Sequence, residues 1–454
     1  MTKRQKLSIT VGISTAFIST FAGSALTIAI PSMGSYFNMG TYSVGWMITL
    51  YMLAVAAFST PLGNLADDTG RRRILMIGVV SFGVTSVFSV FAWNALVMLL
   101  LRLLQGISAA MIFATNMPIA ISAFSEKERG KAIGLVTAGT YTGLALGPVL
   151  GGILNECLGW KSIFIFSALT SLVSFVCIIK GVNRDEVKRI EGKQNISGNV
   201  IYAFMIATFI YGLTSFNSIS FGWVFILIGI LLGFVFVKNE LRAENPIIDV
   251  RIFAGNMTYT LSNLTALLNF CATFAIGYLL SIYLQVVLGY SSRAAGLILI
   301  TQPIFMAALS PIMGKLSDKL SAYKMATVGM ALCTVSLLFF AFLNKETSTI
   351  MVILALAVIG IGVAFFSSPN TNMIMGCVPT SKFAVANSIL ATMRTTGQSC
   401  AMAIITIVVS GTIGDVDLYE LSSGQLINTI HVSFIVFTVL CAIGIAMSMQ
   451  RKHT

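Results

Sequence analysis

Charge is scarce in this sequence, so chemistry is to be sought where charge stands inside or beside apolar runs. Gly63-Asn64-Leu65-Ala66-Asp67-Asp68-Thr69-Gly70-Arg71-Arg72-Arg73 is a short loop between two long apolar runs. Asp67 falls in the last turn of one expected helix and Arg71 to Arg73 open the next. Both placements oppose the helix dipole unless the charges are paired. The stretch therefore reads as a latch between helices. Gly63 would let two helices approach closely, and Gly70 would allow a tight turn that a side chain obstructs. Arg102 and Arg394 are two cations inside apolar runs. A lone guanidinium in hydrocarbon costs at least ~2.5 kcal/mol, so each should face protein or a water-filled cavity. Gln105, three residues after Arg102, shares its helix face.

None of the 16 acids lies in the middle third of an expected helix. The acids near a pathway are Asp67, Glu128 (in Glu126-Lys127-Glu128-Arg129-Gly130-Lys131) and Glu156. Glu156 is the foremost proton-site candidate, because partial desolvation would raise its pKa toward neutrality. Asp67, Glu128 and Arg102 are the others. Without a midplane carboxylate, a ligand cavity would rest on Trp46, Tyr51, Asn116, Asn269, Tyr283, Gln285, Gln302 and Asn372, with Arg102, Gln105 and Arg394. Aromatic faces can hold a delocalised cation without a carboxylate. No metal or other cofactor is expected. The two histidines, His431 and His453, form no ligand cluster, and there is no Gly-x-x-x-x-Gly-Lys-Ser/Thr loop for a nucleotide. The seven cysteines fall mostly in apolar spans and read as packing residues.

The elements that must position these residues follow from composition. Of 454 residues 56% are hydrophobic and 10% charged, against about 25% charged in soluble domains. This is an all-α polytopic membrane protein. Spans are expected near 9–30, 44–66, 74–92, 95–124, 131–154, 162–180, 199–215, 221–238, 259–287, 295–316, 323–343, 349–376, 384–410 and 429–449. With both termini cytoplasmic, Lys161, Arg293 and Lys345 are the basic residues of the outer loops, as the positive-inside rule requires. The net charge of +12 thus reflects topology, not nucleic-acid binding. No cleavable signal peptide is expected. Gly314-Lys315-Leu316-Ser317-Asp318-Lys319 is a degraded copy of the Gly63 loop, eight spans later. Removing two spans leaves six plus six, a repeat architecture of transporters. The expected divisions are a six-helix bundle over 1–180, a cytoplasmic linker over 181–198, two extra helices over 199–238, a cytoplasmic loop over 239–258 and a second bundle over 259–454.

The chain resembles the fourteen-helix drug:proton antiporters of the major facilitator superfamily. The Gly63 loop resembles that superfamily's motif between helices two and three, and Leu101 to Gly106 its fourth-helix motif. Gly139, Gly143, Gly147, Pro148, Gly151 and Gly152 resemble the fifth-helix antiporter motif. Tyr283 to Gln285 with Gly289 to Ser291, Ala295 and Gly296 resembles the ninth-to-tenth helix region of the fourteen-helix subgroup. Four of the fifth-helix glycines fall at i, i+4, i+8 and i+12, a smooth strip along which a neighbour could lie close and slide. Pro148 would bend that helix. The resemblance implies the major facilitator fold, two six-helix bundles plus two extra helices. It implies proton-coupled multidrug efflux by alternating access in the plasma membrane, as a monomer, and a latch of Asp67 with Arg129. The expected substrates are amphipathic, mainly monovalent cations, provided that Arg102 is tied to carbonyls away from the cavity. Neutral, zwitterionic or anionic substrates are the alternative; a nutrient importer or a non-transporting receptor is further off. One departure stands out. Where many relatives carry an aspartate in helix one, this chain has Ala22, and where they carry an asparagine it has Thr27.

Overall fold

The computed structural model describes residues 2–124, 129–182, 195–216, 221–244, 246–248, 250–317, 319–378, 383–414 and 422–451. Glu128, Asp318 and most of the expected 181–198 linker lie outside them, as does the side chain of Arg129. Among the described residues the regular structure is helical. The helices are α1 Lys3–Phe37, α2 Thr41–Thr69, α3 Arg71–Val90, α4 Ala95–Ser122, α5 Arg129–Leu158, α6 Lys161–Gly181, α7 Ile196–Thr214 and α8 Gly222–Arg242. After a short α9, Arg251–Gly255, come α10 Met257–Ile282, α11 Ser292–Leu299, α12 Thr301–Ser317, α13 Ala322–Phe340, α14 Thr349–Gly376, α15 Phe383–Thr412 and α16 Ser423–Gln450.

Among the described residues twelve segments are long and apolar enough to cross a membrane, with α11 and α12 forming one of them. α5 and α15, 30 residues each, bring the bundle to the expected fourteen. Pro303 lacks the N–H that would bond to the Leu299 carbonyl, and the break between α11 and α12 falls there. α10 continues through a π-helical turn, Tyr283–Val287. Phe88, Leu172, Phe234 and Leu354, on α3, α6, α8 and α14, are exposed. Such side chains would be a liability in water and are at home against lipid.

α1 to α6 pack as one half: α1 on α5 and α6, α2 on α4, and α3 on α4 and α6. The second half repeats these pairings with α10 on α15 and α16, α12 on α14, and α13 on α14 and α16. The repeat extends to single close approaches. A Cβ on Gly106 would lie 2.5 Å from the Tyr51 carbonyl oxygen, and one on Gly360 would lie 2.6 Å from that of Gln302. A Cβ on Gly143 would lie 2.7 Å from the Phe17 carbonyl oxygen, and one on Gly397 would lie 2.5 Å from that of Leu267. α2 and α4 in one half, and α1 and α5, thus cross as their counterparts do in the other.

The extra pair, α7 and α8, packs on itself, and α7 lies along the seam where α2 meets α15. The Tyr202 hydroxyl of α7 donates to the Ala56 carbonyl (3.3 Å), and Asn64 donates to Asn199 (3.0 Å).

Two expectations about glycine need different outcomes. Gly70 has φ 106°, a conformation that a side chain would strain, and it separates α2 from α3. Gly63 is not needed for close approach: a methyl group there would meet the Ala114 Cβ at 3.6 Å, ordinary contact. Replacing Gly106 by leucine should therefore cost at least about 1–3 kcal/mol of overpacking and lose monodisperse protein in size-exclusion chromatography. Gly63→Ala should elute as the wild type does.

Candidate functional site

The end of the bundle that carries Asp67 and the end that carries Glu156 are built differently. At the Asp67 end, Asp67 Oδ1 accepts from Arg71 Nε at 2.6 Å, across the Gly70 turn. The expected latch partner was Arg129; the partner described is Arg71, while the Arg129 side chain lies outside the described residues. Both side chains remain partly exposed to solvent, so the pair contributes at most about 1 kcal/mol. Asn372 belongs to this end too. It is exposed and donates to Ser317 Oγ (2.5 Å) beside Gly314, in the degraded copy of the loop.

At the Glu156 end the two halves are joined by hydrogen bonds, and proline explains where. Pro31 inside α1 leaves the Thr27 carbonyl without its helical donor. Ser281 of α10 supplies one, at 2.8 Å. Next to it Gln285 donates to the Ile28 carbonyl (3.0 Å) and to Ser281 Oγ (2.8 Å). Gln285 also accepts from Ser292 Oγ, Ser292 accepts from Asn155 Nδ2, and Asn155 accepts from Ser32. Helices α1, α5, α10 and α11 are thereby linked in one chain of side-chain bonds. Backbones meet here as well: a Cβ on Gly296 of α11 would lie 2.8 Å from the Pro148 carbonyl carbon, and Gly152 abuts Ser292. Gln285, expected in a ligand cavity, is a bridge between the halves.

The fifth-helix glycine strip is used otherwise than expected. Gly139, Gly143, Gly147 and Gly151 face α1 within their own half, against Ile13, Phe17, Ser24 and Ala25. Pro148 frees the Leu144 carbonyl, and Ser24 of α1 donates to it at 3.0 Å. The strip fixes α5 to α1, and the contact with the other half falls on Pro148 and Gly152.

Glu156 stands at the rim, beyond the apolar span, and is exposed. Its carboxylate accepts from Arg293 N (3.0 Å) in the first turn of α11. The Ser291 side chain and that backbone N–H hold its carboxyl below the usual carboxylate range. Desolvation is outweighed by these bonds in this conformation, and Glu156 is ionised at neutral pH.

Arg102 is buried, with Nε donating to the Met47 carbonyl (3.0 Å) and Nη1 to Gln105 Oε1. Gln105 in turn donates to Ser86 Oγ (2.8 Å). The guanidinium lies 4.4 Å over the Tyr51 ring, whose hydroxyl donates to the Ser19 carbonyl (3.0 Å). Its Nη2 has no hydrogen-bond partner among the described residues. Arg102, Gln105 and Tyr51 thus form one packed node joining α2, α4, α3 and α1.

Arg394 is different. It is mostly buried, Tyr141 of α5 is within electrostatic reach, and no hydrogen bond or ion pair with a described residue holds its guanidinium. The remaining cavity candidates scatter. Trp46 packs on Tyr211 of α7 (5.8 Å between ring centroids). The Tyr283 hydroxyl donates to the Asn344 carbonyl in the loop before α14 (2.7 Å). Asn116 is buried and accepts from its neighbour Met117 N (2.6 Å). Asn269 is buried beside Cys333, with Oδ1 unpaired among the described residues. Gln302 is half-buried.

Sequence reasoning missed Ser24, Ser281, Asn155 and Ser292, whose types are too common in helices to signal a role. It also missed Arg451, buried at the end of α16, which bonds Asn370 (2.6 Å) and Ser262 (3.1 Å) and ties α16 to α14 and α10. The described residues contain no cluster of metal ligands.

Paired six-helix halves are a repeat architecture of membrane transporters. A family model for the Major Facilitator Superfamily matches residues 12–239 and 263–452, and the chain belongs to that superfamily. It is 30% identical over 380 residues to the riboflavin transporter RibZ of Clostridioides difficile, covering 83% of this chain and 82% of that protein. It is 29% identical over 392 residues to the multidrug resistance protein Stp of Mycobacterium tuberculosis, covering 84% and 71%. Among solved structures it superposes on a POT family transporter in complex with a thioalcohol-conjugated peptide, with TM-score 0.74, 13% identity and coverage of 98% and 96%. That last likeness is one of fold.

Gln285→Ala removes several of the bonds at the Glu156 end, each worth about 1 kcal/mol net. Its Tm in detergent should fall by several degrees, whereas Gln302→Ala should leave Tm unchanged within a degree or two.

Proposed function

We propose that this protein is a secondary active exporter of amphipathic compounds, driven by proton influx, in the plasma membrane with both termini cytoplasmic. The observation that carries the reading is the join at the Glu156 end. The halves are linked there by side-chain bonds to carbonyls and by two glycine contacts, a join that can separate without breaking the core of either half. The conformation then has its outer side closed. The substrate reaches a midplane site from the Asp67 side, and rocking of the halves exposes it at the other. The relatives named for multidrug resistance and riboflavin transport support movement of flat amphipathic molecules.

Proton coupling falls to Glu156 by position. In the closed form two donors from the α11 side hold it ionised. When α5 and α11 part, those donors are lost and the carboxyl titrates higher. Closure is therefore favoured while Glu156 is ionised and loses that support as pH falls through its depressed pKa, so acid outside favours opening. Everted vesicles given an imposed pH gradient should accumulate amphipathic dyes, and Glu156→Gln should bind dye but lose the dependence on the gradient. Absence of gradient-driven dye uptake by wild-type vesicles removes the exporter reading; unchanged pH dependence in Glu156→Gln removes this glutamate from the coupling.

Asp67 is proposed to stabilise one conformation through a cation, with Arg71 or Arg129 as partner. The exposed pair adds little stability, so Asp67→Asn should keep the wild-type Tm while transport falls at least tenfold. Wild-type rates in that variant would reduce the loop to a topological signal.

Two readings of substrate charge remain from the sequence. The bonds of Arg102 to the Met47 carbonyl and to Gln105 support the reading in which monovalent cations are carried. Arg394, mostly buried and unpaired among the described residues, favours the reading in which zwitterionic or anionic compounds are carried.

A further inference from the structure

Each described acid lies toward one end of the bundle. Asp67, Asp68, Glu240 and Glu244 are at the Asp67 end, and Glu156 and Glu346 are at the other. Two arginines stand inside the spans, Arg102 about two turns into α4 and Arg394 nearer the middle of α15, and the fold treats them differently. Arg102 is largely satisfied: a carbonyl, an amide side chain and an aromatic face surround it, and its Nη2 alone lacks a partner among the described residues. Arg394 has no bonded acceptor among the described residues.

Its direction follows from its neighbours on α15. Gly397 faces α10, where a Cβ would lie 2.5 Å from the Leu267 carbonyl oxygen. Thr392 and Ser399 face α2: the Thr392 hydroxyl is 3.2 Å from that of Thr60, and Ser399 donates to the Met52 carbonyl (2.9 Å). Ala403 packs in the apolar cluster that includes Tyr202 of α7. At 3.6 residues per turn, these three contacts leave one arc of α15 between α10 and α2, opposite α7. Arg394 lies on that arc, which is turned to the space between the halves.

Tyr141 identifies what lies across that space. It belongs to α5, in the other half, on the face that meets α11 at Pro148 and Gly152 two to three turns further along. Where Pro148 and Gly152 touch the second half, the space is closed. At Tyr141 the same face looks toward Arg394 instead. A mostly buried guanidinium with no bonded acceptor among the described residues, near the middle of a membrane span and between the two halves, is an expensive placement. With no acceptor among the described residues, water or a ligand can serve it there.

We propose that Arg394 binds the acidic group, a carboxylate, of an amphipathic substrate lying between the halves beside Tyr141. The planar guanidinium offers a bidentate fork to a carboxylate, and desolvation within the span makes that pairing strong. The same charge repels a cation of equal shape, so Arg394 sets the charge preference of the site. The inference rests on the exporter reading only for the direction of movement; the binding step stands without it.

The test uses two xanthene dyes with one ring system, one bearing a free carboxylate and the other its ethyl ester. Fluorescence anisotropy measures binding of each to the purified full-length protein in detergent, for the wild type, Arg394→Gln and Arg394→Lys. The wild type should bind the free-carboxylate dye more tightly than the ester. Arg394→Gln should weaken binding of the carboxylate dye roughly tenfold or more and leave the ester within about twofold. Arg394→Lys should retain an intermediate preference, because charge persists and the fork is lost. Unchanged carboxylate-dye affinity in Arg394→Gln, or equal weakening of both dyes, overturns the assignment. So does a wild-type preference for the ester, which needs no variant. Gradient-driven uptake by wild-type vesicles is scored separately. Its absence would sink the exporter reading while the anisotropy result still decides Arg394.

Discussion

A carbonyl freed by proline inside a membrane span must find another donor, and this requirement shapes much of the structure. Water is not at hand in the hydrocarbon region, and an unpaired buried carbonyl is costly. Pro148 frees the Leu144 carbonyl, and Ser24 of the same half takes it, fixing α5 to α1. Pro31 frees the Thr27 carbonyl, and Ser281 of the other half takes it, joining α1 to α10. The two answers differ in consequence. The first makes a half rigid. The second makes a contact that must break and reform if the halves rock, at about 1 kcal/mol net per bond.

The repeat sharpens the roles of the two central arginines. Four residues before Gly106 stands Arg102, and four before its counterpart Gly360 stands Leu356, apolar and buried. Three residues before Gly397 stands Arg394, and three before its counterpart Gly143 stands Thr140. Neither charge is part of the repeated scaffold, so packing alone does not require either. Arg102 is stabilised by local partners and holds four helices together. Arg394 has no bonded partner among the described residues.

Much of the fold was legible because hydropathy and short loops are local signals. Fourteen spans follow from run length, and the pairing of halves from a single repeated loop. The site was less legible, because residue type does not report azimuth or partner. Trp46 and Tyr283 suit a ligand cavity by type, yet one packs on α7 and the other reaches the loop before α14. Asp67 needed a cation, and sequence could not choose between Arg71, four residues away, and Arg129. Gly63 looked like a close-packing residue, but its neighbour is the small Ala114. Prolines 31 and 148 do announce which carbonyls are freed. Only the packing tells whether the replacement donor comes from the same half or from the other.

The central claim is that the join at the Glu156 end is a gate which opens as the Asp67 end closes. Double electron–electron resonance on spin labels at Leu158 and Tyr290, and on a second pair at Leu65 and Leu320, measures both ends of one protein. All four positions are exposed. Acidification with an amphipathic substrate present should lengthen the Leu158–Tyr290 distance and shorten the Leu65–Leu320 distance. Distances that stay fixed, or that lengthen together at both ends, would contradict the account.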